Sequence, residues 1–98
     1  MDVHFMLGTV DREGQQESFR FDQTVLWPGV PRRGDVVDAP VSGPGDEPVP
    51  WVVKKVYWNA NGSVGLYLGS LKLTGPHEAD ESYLERLRAH ATRNTAPD

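Results

Sequence analysis

Three histidines, His4, His77 and His90, are the side chains of this sequence best suited to move a proton near neutral pH or to hold a metal. They fall in three separate predicted elements. General acid–base or nucleophilic catalysis would need them to converge with a carboxylate and a nucleophile. No nucleophile-elbow pattern or pair of acids stands beside any of them. The run His77-Glu78-Ala79-Asp80-Glu81 comes nearest to the helical His-Glu-x-x-His zinc motif, yet Glu81 occupies the place of the second imidazole. His77 and Glu81 can meet one helical turn apart. An acidic first turn beside the positive end of the helix dipole explains the same residues without a metal. There is no Cys, which excludes thiolate zinc sites and disulfides. The sequence is therefore read as non-enzymatic, with no catalytic residues, no metal and no cofactor. A small metal-dependent enzyme using His77 and Glu81 is the least favoured reading.

The second chemical signal is cationic. Arg32, Arg33, Lys54, Lys55 and Lys72 are five of the ten Lys and Arg residues. Brought to one side of a small domain with Trp27, Tyr57 or Tyr67, they would offer phosphates a counter-charge and bases a stacking surface. Lysines that blunt an exposed strand edge against aggregation are the plainer explanation. Trp27, between Leu26 and Pro28 in a loop-like segment, suits either a core plug or a partner anchor. The candidate partner-binding residues are thus Trp27, Arg32, Arg33, Lys54, Lys55 and Tyr57. Two short motifs are read structurally: Arg33-Gly34-Asp35 as a turn, and Asn61-Gly62-Ser63 as part of a hairpin rather than a glycosylation acceptor.

The whole-chain charge opposes nucleic acid. Ten basic and 14 acidic residues give a net charge of −4, and counterion release needs clustered cations. No apolar run reaches the roughly 18 residues of a membrane span, and Met1-Asp2-Val3-His4 does not open a signal peptide. A cytoplasmic location without membrane contact is expected.

These residues must be positioned by few elements. The 98 residues suffice for one domain, expected over residues 1–93 with a frayed tail at 94–98. Val3, Phe5 and Leu7 alternate, as do Phe19 and Phe21, and Asp11 to Gln15 reads as the turn between two strands. Prolines and glycines over 27–31 exclude helix, Pro31 to Asp35 forms a tight turn, and Val36 to Ala39 a short strand. Ser42 to Pro50 reads as a solvated, mobile loop. Residues 51–58 make the strongest strand, with a bulge at Lys54-Lys55 that turns Trp51, Val53, Val56 and Trp58 inward and both lysines outward. Asn59 to Gly62 is a hairpin turn, and the returning strand slips phase at Gly69-Ser70. From about 78 to 92, Ala79, Tyr83, Leu84, Leu87 and Ala91 lie on one helical stripe.

The turn Pro31-Arg32-Arg33-Gly34-Asp35-Val36-Val37, followed by Trp51-Val52-Val53-Lys54-Lys55-Val56 and a hairpin to Leu66-Tyr67-Leu68, resembles an SH3-like small β-barrel over residues 28–73. The resemblance is to the fold, and it carries no site residues. The fold expected is mostly β (α+β): a small, strongly bent antiparallel sheet or SH3-like partly open barrel with one C-terminal amphipathic helix. The leading functional expectation is a protein-binding or assembly module, self-associating or with a protein partner, of the kind phages and mobile elements encode. The alternative is a nucleic-acid-binding module using Arg32/Arg33 and Lys54/Lys55.

Overall fold

Apolar alternation decides the first two strands. Val3, Phe5 and Leu7 face one way from β1 (Asp2–Val10), Phe19 and Phe21 face the same way from β2 (Gln16–Thr24), and all five are buried. The strands pair antiparallel with Phe5 opposite Phe21. The turn between them is closed by Asp11, whose carboxylate accepts the N–H groups of Glu13 (3.0 Å) and Gln15 (2.8 Å). The computed structural model describes residues 1–92, so Arg93 and the tail expected to fray at 94–98 lie outside the described residues.

The remaining strands are β3 (Val36–Val37), β4 (Trp51–Val52), β5 (Lys55–Trp58) and β6 (Val64–Lys72), and the chain closes with helix α1 (His77–His90). The main sheet runs β2-β1-β6-β5, and β3 with β4 forms a separate two-stranded sheet. The mostly-β α+β architecture with one C-terminal helix is as the residue pattern indicates. Two details differ. The centre of the main sheet is a parallel pair, β1 with β6, so the sheet is mixed rather than antiparallel. The strands also form two separate sheets, with no closed barrel. The reason is a crossover: residues 25–63 carry the chain from β2, at one edge, to a position beside β1 in the same direction, which a chain of consecutive hairpins cannot do.

One face of the main sheet is covered. Val37, Trp51 and Val53 from the small sheet and its exit, with Tyr83, Leu84 and Leu87 of α1, bury Phe5, Leu7, Val64 and Leu66. The helix therefore packs on its own sheet. Of the expected stripe, Tyr83, Leu84 and Leu87 are buried, while Ala79 is exposed and Ala91 lies beyond the helix end. Cations of the last turns fasten it: Arg88 makes a bidentate pair with Glu17 of β2, both contacts 2.7 Å.

The segment 42–50 is tied down rather than loose. Trp51 Nε1 donates to the Val41 carbonyl (3.0 Å), the Tyr83 hydroxyl to the Ser42 carbonyl (2.9 Å) and Arg86 to the Pro44 carbonyl (3.0 Å). Arg86 also pairs with Asp46 (3.1 Å). Backbone carbonyls of a polar loop thus gain partners from two buried aromatic side chains, Trp51 and Tyr83, and from Arg86.

Candidate functional site

A cationic groove at the sheet edge

The turn at Arg32 forms as its residue types require. Asp35 accepts the Arg32 N–H on its carboxylate (2.8 Å), the Asp35 N–H returns to the Arg32 carbonyl (3.0 Å), and Gly34 takes a φ of 94°. Val53 then docks this turn by two backbone hydrogen bonds: Gly34 N–H to the Val53 carbonyl (2.8 Å), and Val53 N–H to the Asp35 carbonyl (2.9 Å). The residue after Val53 is Lys54. The backbone ladder therefore brings Arg32-Arg33 beside Lys54-Lys55, residues that lie about twenty positions apart in the chain.

The lysine pair sits on the expected bulge. Lys55 is the register partner of Tyr67, and the Lys54 N–H also donates to the Tyr67 carbonyl (2.8 Å), so two residues oppose one. The bulge releases the chain from the small sheet into the main one, because Trp51 and Val52 pair with β3 and Lys55 onward pairs with β6. Across the ladder, β6 has its own irregularity. Met6 pairs with Tyr67 and Gly8 with Ser70, and Gly69 takes a φ of 94°. That positive φ favours glycine, and the Lys54 stem passes over Gly69, where a Cβ would lie in ordinary contact with it at 3.4 Å.

Arg32, Arg33, Lys54, Lys55, Val56, Tyr57 and Trp58, with Val30 and Pro31, line one groove of about 710 Å³. Five of the six residues singled out from the sequence meet there. The sixth does not: Trp27 is half-buried, its ring set edge-on to Phe5 at 5.9 Å and 87°, in the role of a core plug. Trp58, expected inside, is 71% exposed. It follows Val56 on the inward side of β5 and pairs with buried Val64, but β5 is the edge strand and no layer extends over its end. Tyr57, on the opposite side, is 45% exposed. Among the described residues the ion pairs engage Arg20, Arg86 and Arg88 with carboxylates and His4 with Asp22, and none uses the four groove cations.

The open face of the main sheet

The outward face of the main sheet adjoins this groove. Register places Arg20, Met6, Tyr67 and Lys55 in one row across β2, β1, β6 and β5. In the next row Tyr57 stands opposite Gly65. A Cβ at Gly65 would meet Met6 Cε at 3.0 Å and Tyr57 Cβ at 3.3 Å, so the missing side chain lets Met6 and Tyr57 close over the backbone. The sequence gives a partial signal for this face, since Met6 and Tyr67 occupy the alternate positions to the core residues.

A serine–histidine–aspartate contact that serves structure

Sequence spacing missed one convergence. His4 Nδ1 lies 2.6 Å from Asp22 Oδ1, and His4 Nε2 lies 3.0 Å from Ser63 Oγ. Asp22 is held in turn by Arg20 (3.0 Å). The order is that of a nucleophile triad, but the proton runs the wrong way. Ser63 Oγ is 2.6 Å from Asn61 Oδ1, which also accepts the Ser63 N–H (3.0 Å) and so is an acceptor. The hydroxyl proton goes to Asn61. Asn59 Nδ2 donates to the same Oγ at 3.0 Å, and His4 Nε2 lies 3.0 Å from it. Asn59, Asn61 and His4 thus surround Oγ, and Ser63 is buried. The cluster pins the Asn59 to Gly62 turn to β1 and β2. His77 and His90 are exposed on α1, and among the described residues no three His, Cys, Asp or Glu side chains converge to hold a metal.

No described helix is long and apolar enough to cross a membrane. Against protein-family models, curated proteins and solved structures alike, the chain finds no match.

Proposed function

We propose that this protein is a non-enzymatic binding module whose partner is a polyanion, a nucleic-acid backbone, seated in the edge groove. The observation that carries the reading is the convergence of Arg32, Arg33, Lys54 and Lys55 around exposed Tyr57 and Trp58. Four cations in one groove that make no ion pair among the described residues give a local positive field, and such a field attracts phosphates although the whole chain carries −4. Val30, Pro31 and Val56 add apolar lining beside the charges. The reading of these lysines as edge guards explains Lys54 and Lys55 but not the docking of Arg32 and Arg33 beside them. The test is electrophoretic retardation of DNA or RNA at low salt. Binding that disappears when Lys54 and Lys55 become Glu is expected, and no retardation by the unaltered protein would refute it.

A protein partner is the second reading, and Trp58 supports it. An indole 71% exposed at the end of an edge strand, with Val36 (62%) and Val52 (36%) exposed on the small sheet, suits strand addition or self-association. A strict monomer by native mass spectrometry, with Trp58 emission unchanged on dilution, would exclude the self-associating form.

A further inference from the structure

We infer that the open face of the main sheet is a base-stacking platform, and that the polyanion of the groove is therefore single-stranded nucleic acid. The inference rests on the groove reading and adds the ligand class. Tyr67 and Met6 stand side by side at the centre of the face, and Met6 and Tyr57 both close on the space over Gly65. Three flat or soft side chains thus form one apolar surface on adjacent strands. Planar rings stack on such a surface whatever their sequence. Lys55 belongs to both regions: it lines the groove and is the register neighbour of Tyr67. A chain whose phosphates follow Arg32, Arg33, Lys54 and Lys55 would deliver its bases onto Tyr57 and Tyr67 without crossing a gap.

Three further observations favour this occupant. The helix and the small sheet cover the other face, so among the described residues nothing occupies this one. Of its acids, Asp22, which stands in the row next to Met6, is held by Arg20 and His4, while Asp2 lies at the far end of β1, away from Tyr67 and Lys55. The row from Arg20 to Lys55 crosses three strand spacings, about 14 Å, wide enough for more than one base side by side. A duplex keeps its bases stacked within itself and cannot use the tyrosines this way.

Fluorescence anisotropy with a labelled oligodeoxythymidylate, an abasic oligomer of equal length and a duplex of equal length tests the inference. Tyr57→Leu and Tyr67→Leu keep an apolar side chain, and Tyr57 is exposed enough that its replacement leaves the fold intact. Each substitution is expected to weaken the single strand by roughly 5- to 150-fold, the range of one stacked base, and Tyr67→Leu, which lies outside the groove, to leave the abasic oligomer unchanged. Tighter binding of the single strand than of the duplex is also expected. Equal binding of the oligothymidylate and the abasic oligomer, indifferent to both tyrosines, would overturn the platform and leave the groove standing. Failure of all three ligands to bind at low salt would overturn the groove itself.

Discussion

Neutralising Lys54 and Lys55 together, as Lys54→Gln with Lys55→Gln, should halve the salt dependence of polyanion binding. The magnitude follows from the groove, where four cations make no ion pair among the described residues. For a single strand each neutralised phosphate contributes about −0.7 to the slope of log K against log salt, so four contacts give about −2.8. Raising salt from 50 to 200 mM then costs the unaltered protein about 50-fold in affinity. With two cations left the slope becomes about −1.4, and the same change costs about sevenfold. The two lines converge near 1 M salt, so the variant is about 60-fold weaker at 50 mM and about tenfold weaker at 200 mM. Anisotropy titrations at five salt concentrations read both slopes. Both lysines are exposed and held by backbone pairing, so the fold should survive, which circular dichroism checks. A variant that binds less tightly with an unchanged slope would show that the lysines act through structure and that phosphates are neutralised elsewhere. That result would refute the assignment of the groove.

Other outcomes follow from the core and its hydrogen bonds. Burial pushes the Tyr83 hydroxyl up to about 12, with Arg86 opposing the rise and Glu47 adding to it. A folded value above the ordinary 10 contributes stability that is complete below pH 10 and is lost as pH climbs toward 12, on the order of 3 kcal/mol. In alkaline denaturation Tyr83→Phe should lose that extra slope, at a cost of about 1 kcal/mol at neutral pH from the bond to the Ser42 carbonyl; an identical alkaline profile in the variant would contradict it. Trp51→Ala should cost about 3 to 5 kcal/mol, whereas Trp58→Ala should stay within about 0.5 kcal/mol, and urea denaturation separates them. Ser63→Ala leaves His4, Asn59 and Asn61 short of a partner and should destabilise by about 1 to 3 kcal/mol, while a fluorophosphonate probe should add no mass to Ser63 in the unaltered protein.

The local elements were legible because each is encoded by neighbours in sequence. Period-2 alternation at Val3-Phe5-Leu7, glycines at φ-positive turns and the acidic-to-basic gradient of the helix each specify their own segment. The bulge at Lys54-Lys55 was readable for the same reason, since alternation breaks within six residues. Trp58 was misplaced because side-chain direction follows from alternation, but burial needs a covering layer, and edge position is a property of the whole sheet. The parallel pairing of β1 with β6 left no local trace either: Phe5 looks the same whether Leu66 or another strand lies beside it. Arg32 and Arg33 were identifiable by type, while their meeting with Lys54 and Lys55 depended on two backbone hydrogen bonds at Val53 that no side chain announces. His4, Asp22 and Ser63 come from three strands or turns, so their contact emerges only once the register is fixed.

The central place of β1 has a consequence for how the molecule is made. Its N-terminal hairpin is complete at Thr24, but the neighbour that covers its second edge ends at Lys72. On a ribosome adding about 5 to 20 residues each second, the hairpin waits roughly 2 to 10 s with a bare, apolar ladder. During that interval another nascent copy can dock where β6 belongs. Slowing translation between codons 25 and 64 should therefore raise the aggregated fraction, and a chaperone that shields strand edges should lower it.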